Sequence, residues 1–253
     1  MRRLRFLPVC TLILLASTPG VQAISAAPEV TFTPLAPGVW MHTSHLTLKK
    51  WGKVPSNGLI VETDTGSILV DTAWNDSQTR EIITWASQHL HKPIQAAVFT
   101  HAHEDKMGGV RSLRQQGIVT YASAESNRLA PGRGLMPAEH NIAFNREHLA
   151  FNLKPLVILD PGPGHTTDNI VVGLPTHSIV FGGCLIRPAG STNLGNTADG
   201  NISHWGHAAL AVANQFPEAQ IVVPSHGPPA GRELFALTQT LAQAAQAAQT
   251  PHK

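Results

Sequence analysis

Cysteine is nearly absent from this chain: there are two among 253 residues, and Cys10 falls in an apolar N-terminal run. The rest of the chain keeps Cys184 alone, so no internal disulfide can brace the fold. No basic run occurs beyond the first five residues, which argues against a nucleic-acid or anionic-membrane surface. After the N-terminal run no segment is long and apolar enough to span a membrane. No internal repeat is strong enough to mark a duplication.

The N-terminal run has the form of an export signal. Arg2, Arg3 and Arg5 precede the apolar stretch Phe6 to Ala16, and Val21-Gln22-Ala23 offers a small-residue cleavage site. Residues 1–23 therefore read as a secretory signal peptide, with Ser25-Ala26-Ala27 as a second possible cleavage point. Cys10 lies inside the apolar stretch rather than after it, so no lipid anchor is expected. Residues 24–253 are expected to be one soluble domain of about 230 residues. It would be exported to the periplasm of a Gram-negative bacterium, with a disordered tail over 249–253. Loss of the three leader arginines leaves 15 Lys and Arg against 16 Asp and Glu, turning a formal +2 into about −1. A lone thiol in an oxidising compartment needs protection, which either metal ligation or simple burial provides; Cys184 fits both.

What the chain does have is histidine, placed at strand ends. Ile94 to Thr100 reads as a strand, and Lys106 to Gln116 as a helix stopping at Gly117. The tight connection between them reads His101-Ala102-His103-Glu104-Asp105. Alternation in the extended segment sends His101 and His103 to one side, and the helix start brings Asp105 round toward them. Two imidazoles and a carboxylate converging on one point favour a metal site. Three further donors follow β-forming runs: His165 after Pro161-Gly162-Pro163-Gly164, Cys184 after Phe181-Gly182-Gly183, and His226 after Pro224-Ser225. Strand ends hold the backbone fixed while the side chain faces a cleft. Six donors split into two sets of three, each with an open position, suit catalytic rather than structural zinc.

The remaining pattern is antiparallel strands followed by strand–helix units, given twice. Glu29 to Val61 reads as an antiparallel start, with His45 to Ser56 as a mobile hairpin loop carrying Trp51. Asp76 is read as the N-cap of a helix running to about His91. Pro131 to Pro137 and Pro188 to Asn201 read as loops. Helices are expected over Ser203 to Phe216 and from about Arg232 to Ala247. The expected fold is an α/β, four-layer αβ/βα sandwich, two mixed sheets packed face to face with helices outside. His204 and His207 lie one helical turn apart without being needed as ligands. His42, His45, His89, His91, His140, His148, His177 and His252 read as surface or capping residues.

The ordered set H-A-H-E-D-K-M-G-G, G-H-T-T-D-N, G-G-C-L-I-R, L-G-N and P-S-H-G resembles the class B metallo-β-lactamases, in their broad-spectrum, two-zinc subclass (B1 type). The likeness covers nearly all of residues 24–253. Thioester hydrolases of the glyoxalase II type resemble H-x-H-x-D-H instead, where this chain has Lys106, with Cys184 replacing their bridging aspartate. The resemblance implies that His101, His103 and His165 hold one zinc, and Asp105, Cys184 and His226 a second. It further implies hydrolysis of the lactam amide of penicillins, cephalosporins and carbapenems by a zinc-bound hydroxide that Asp105 orients, with antibiotic resistance as the outcome.

Asn196 corresponds to a carbonyl-side amide donor, also readable as an ordinary loop residue. Arg187 stands where lysine is common and would bind the substrate carboxylate. Lys106 would support the Cys184 thiolate, and Asp71 the metal site through hydrogen bonds. Trp74 and Trp51 would wall the pocket, although Trp74 also suits core packing. The partner expected is a small β-lactam acting on a monomer, with no nucleic acid and no stable membrane anchor. Two other functions compete: another hydrolase of the same fold, such as a lactonase or thioesterase, and a non-catalytic periplasmic zinc-binding protein.

Overall fold

The computed structural model describes residues 29–150 and 153–249. The expected signal peptide with its cleavage site, and the expected disordered tail beyond Gln249, lie outside the described residues. One sheet has seven strands in sequence order: β1 (Val30–Ala36), β2 (Val39–Leu48), β3 (Gly52–Glu62), β4 (Ser67–Val70), β5 (Ile94–Phe99), β6 (Val119–Ala122) and β7 (His140–Asn141). Its first four strands pair antiparallel and its last four parallel. The second sheet contains β8 (Leu149–Ala150), β9 (Val157–Leu159), β10 (Val171–Leu174), β11 (Ile179–Gly183) and β12 (Ile221–Pro224). Its order is β12-β11-β10-β9-β8, with only β11 and β12 parallel.

Period-two alternation makes the layers. Leu59, Val61, Val70 and Val98 point inward and meet Ile158, Val172, Ile179 and Phe181 of the other sheet. Ile60, Leu69, Ala97 and Phe99 point outward and pack under helices α1 (Asp76–Trp85), α2 (Glu104–Met107) and α3 (Val110–Gln115). On the other side Val171, Val180 and Val222 pack under α5 (Ile202–Gln215) and α6 (Glu233–Gln249), with Trp205 fully buried between them. A short helix, α4 (Ala124–Leu129), follows β6. The sandwich expected from the sequence is the one observed.

Three local expectations fail for identifiable reasons. The helix read from Lys106 to Gln116 is two short helices, α2 and α3, broken at Gly108 and Gly109. A Cβ on Gly108 would strike the Trp74 carbonyl, and one on Gly109 the Thr79 hydroxyl. The pair is there for close approach to α1. Asn75, not Asp76, caps α1, its Oδ1 accepting from Gln78 N at 2.9 Å, while Asp76 accepts from Ser112 N at 2.9 Å. The segment read as a loop over His45 to Ser56 is mostly strand. β2 and β3 stay paired from Val39↔Val61 to Leu48↔Gly52, leaving Lys49 to Trp51 as the turn. Pro55 is tolerated there because β3 pairs with β4 only from Leu59 onward.

Candidate metal centre

The predicted donors gather at one edge of the sandwich. His101 follows β5, Asp105 lies in the first turn of α2, Cys184 directly follows β11, and His226 follows β12 by two residues. His165 closes the Pro-Gly-Pro-Gly turn that leaves β9. Bonds between the two sheets lock this edge: Ile170 N donates to Thr100 O at 2.8 Å and Asn57 N to Ser225 O at 2.8 Å. Asn57 Nδ2 adds Pro224 O and Gly227 O at 2.8 and 2.7 Å.

The donor atoms lie in two neighbouring groups. His103 Nδ1 lies 3.1 Å from His101 Nε2 and 3.3 Å from His165 Nε2. Cys184 Sγ lies 3.3 Å from His226 Nε2 and 3.6 Å from Asp105 Oδ2, and that carboxylate oxygen lies 3.6 Å from His226 Nε2. Two nitrogens held about 2.05 Å from one tetrahedral zinc would sit about 3.4 Å apart. A sulfur and a nitrogen would sit about 3.6 Å apart. The donor chemistry and the spacings therefore fit zinc.

The rings are also aimed. His226 Nδ1 is 2.7 Å from the Pro55 carbonyl, and His103 Nε2 is 2.8 Å from Asp199 Oδ2. Each partner takes the N–H of that ring and leaves the lone pair of the other nitrogen facing the cluster. Burial lowers the pKa of His101 well below the ordinary value, that of His165 to about 3, and that of His226 below its usual range. All three imidazoles are thus held neutral, the form that binds metal.

The acids behave differently. Burial alone would raise Asp105, but the Lys106 ammonium at 3.1 Å holds it far below the usual carboxylate range. Burial, with the Asp105 charge, pushes the Cys184 thiol well above its ordinary value. A thiolate in this place calls for a cation beside it.

Lys106 is completely buried. Burial disfavours its charge, yet Asp105, with Asp71 behind it, raises its pKa. Its Nζ lies 3.1 Å from Asp105 Oδ2, 3.7 Å from Asp71 Oδ2, 2.8 Å from Ser56 Oγ and 3.2 Å from Asn57 O. It serves Asp105 directly and the thiol through it. Asp71, at φ 62°, accepts from Thr100 N at 2.7 Å and Thr100 Oγ1 at 2.8 Å, which fixes the residue before His101. Burial raises Asp71 to about 7 against the pull of Lys106 and those bonds.

A cavity of about 390 Å³ opens over the donors, with Trp51, Trp74, Lys53, Arg187 and Asn196 in its wall. Trp51 is 50 % exposed at the hairpin turn, with Lys50 Nζ 4.7 Å from its ring. Trp74 is only 6 % exposed, so it belongs to the core and shows the cavity one face. Arg187 Nε is buried without a partner among the described residues. Asn196 is exposed, and its Oδ1 accepts from Ala198 N at 3.3 Å. His204 sits apart from the donors, its Nδ1 2.8 Å from Pro163 O beneath the His165 turn.

His42, read from sequence as a surface residue, is fully buried, with Nε2 3.2 Å from Asp71 O. Ser56, Asp168, Arg133 and Asp199 were not singled out by the sequence reading. Of these only Asp168 carried a signal, lying inside G-H-T-T-D-N.

Residues 51–226 match the family model described as the metallo-beta-lactamase superfamily. A protein named metallo-beta-lactamase type 2 from Bacteroides fragilis is 35 % identical over 220 residues, 87 % of this chain and 88 % of that one. Its namesake from Bacillus cereus is 35 % identical over 212 residues, 84 % and 82 % of the two chains. Among solved structures, the mono-zinc form of the metallo-beta-lactamase FIM-1 from Pseudomonas aeruginosa is 66 % identical with a TM-score of 0.84. The match covers 86 % of this chain and 96 % of that one. A metallo beta lactamase from Erythrobacter litoralis is 46 % identical at a TM-score of 0.84, covering 87 % and 98 %.

Proposed function

The chain belongs to the metallo-β-lactamase superfamily, and from that premise we propose that it hydrolyses the lactam amide of β-lactams with two zinc ions held by its six converging donors. The observation that carries this reading is the convergence of six donors: His103 Nδ1 lies against His101 and His165 Nε2, and Asp105, Cys184 and His226 form a group that could hold one ion. We assign His101, His103 and His165 to one ion and Asp105, Cys184 and His226 to the other. When bound in such a site, zinc supplies Lewis acidity that acidifies water and polarises a carbonyl.

The chain's own residues do the rest. Lys106 keeps Asp105 ionised, so its carboxylate can accept a hydrogen bond from water in the cavity and orient the oxygen. Arg187 offers a guanidinium to the carboxylate of the substrate. Asn196 has its amide oxygen turned back to the Ala198 N–H, leaving its NH₂ as a donor toward a carbonyl in the cavity. Trp74 and Trp51 supply apolar walls. No protein nucleophile is needed: the buried thiol, Cys184, is assigned to the metal. We further read the enzyme as an exported, periplasmic monomer released from the signal peptide over residues 1–23. Among the described residues no helix is long and apolar enough to cross a membrane.

The test is steady-state hydrolysis of a penicillin, a cephalosporin and a carbapenem, with and without EDTA, alongside metal counting. Turnover abolished by EDTA and restored by zinc, with two zinc ions per chain, is the expected result. No turnover of any of the three at saturating zinc would overturn the reading. Trp51→Ala should raise KM about fivefold with kcat little changed, because covering that exposed ring against a ligand is worth about 1 kcal/mol. An equal fall in kcat would place Trp51 in the chemistry rather than in binding.

A further inference from the structure

Ala102, between the two neighbouring histidines, is gripped through both its N–H and its carbonyl. Ala102 N donates to Asp168 Oδ2 at 2.8 Å, and Ser126 Oγ fixes that carboxylate oxygen at 2.8 Å. The Ala102 carbonyl accepts from Arg133 Nη1 at 2.8 Å. The other arm of the same guanidinium, Nη2, lies 3.1 Å from Asp199 Oδ2, the oxygen that also receives His103 Nε2 at 2.8 Å. Arg133 comes from a single helical turn, Pro131–Arg133, after α4. Asp199 belongs to the 188–201 loop that carries Asn196.

One side chain thus joins three separate pieces of the site: the His101–His103 turn, the imidazole of His103, and the loop over the cavity. As an ion pair this would matter little, since Arg133 is 25 % and Asp199 44 % exposed. As a fork it matters more. A planar guanidinium can hold the carbonyl and the carboxylate at once in fixed geometry, and an ammonium on a flexible stem cannot. A carboxylate that receives the far N–H of a ligating histidine sets the direction of its lone pair.

We propose that Arg133 is a positioning residue: its guanidinium clamps Asp199 to the Ala102 carbonyl, aiming His103 and holding the 188–201 loop against the metal site. The consequence for zinc rests on the functional reading above, whereas the clamp on the loop does not.

Arg133→Ala, Arg133→Lys and Asp199→Asn should be compared with the parent protein. Zinc affinity is read by competition with a chromophoric chelator, and loop order by amide hydrogen exchange of residues 188–201 in metal-free protein. Arg133→Ala should weaken zinc binding about tenfold and speed exchange in the loop severalfold, with the melting temperature of the metal-free protein nearly unchanged. Arg133→Lys should recover less than half of either effect. Asp199→Asn should match Arg133→Ala, and the double variant should be no worse than the singles. Zinc affinity within twofold of the parent with unchanged loop exchange in Arg133→Ala overturns the proposal, and so does full recovery by lysine. A parent protein that takes up no zinc defeats the functional reading instead, and the exchange measurement then decides the clamp.

Discussion

Lys106→Met will lower the unfolding free energy of the metal-free protein by about 3–5 kcal/mol, read by urea denaturation in EDTA. Methionine nearly matches the volume of the lysine stem, so little of this loss comes from a cavity. It comes from charge. Lys106 Nζ is enclosed by Asp105 Oδ2 at 3.1 Å, Asp71 Oδ2 at 3.7 Å, Ser56 Oγ and the Asn57 carbonyl, with no access to solvent. Without the ammonium, two buried carboxyls lose their counter-charge within a few ångströms of each other. The site suffers with the fold, because Asp105 then has no cation of the protein to keep it ionised. A loss under about 1 kcal/mol would show that the two carboxyls are satisfied without Lys106, and would remove its role in charging Asp105.

Lys106 also marks where reading the sequence stops being enough. Its position directly after Asp105 pointed to a supporting role, but the residues that share it, Ser56 and Asn57, lie some fifty positions earlier. The six donors were legible because each couples a metal-binding side chain to a strand end or tight turn, both of them local signals. The layered fold was legible for the same reason: Leu59-Ile60-Val61 alternates between the two faces of its sheet, and such alternation survives in any context. Interactions fixed only by tertiary placement escaped. Arg133 and Asp199 fall within segments that read only as loops, and His42 reads as a surface or capping residue. Gly108 and Gly109 read as helix interior because nothing nearby in sequence announces the Trp74 carbonyl and the Thr79 side chain lying against them. The far end of the β2–β3 ribbon, His45 to Ser56, reads as a loop because Lys, Gly and Pro interrupt the short apolar pattern of Leu46, Leu48 and Val54, in a stretch that projects past β4.

If the chain holds two zinc ions as proposed, Cys184→Ala should cut kcat/KM on β-lactams by about 10²–10³-fold and reduce bound zinc to one ion per chain. The size follows from losing Lewis-acid help worth several kcal/mol, at about 1.4 kcal/mol per factor of ten. The fold should tolerate the change, because deleting one buried sulfur atom leaves only a small void, at a cost of about 1 kcal/mol. Sγ is one corner of a triangle whose others, Asp105 Oδ2 and His226 Nε2, lie 3.6 and 3.3 Å away, so two donors remain where three stood. His226→Ala removes a different corner of the same triangle and should give the same phenotype. The double variant discriminates between explanations. If the two residues act by holding one ion, Cys184→Ala/His226→Ala should be no slower than either single variant, since the second substitution empties a site already empty. Multiplied losses, with zinc content unchanged in both single variants, would mean that Cys184 and His226 act separately on the substrate and that the second ion does not belong there.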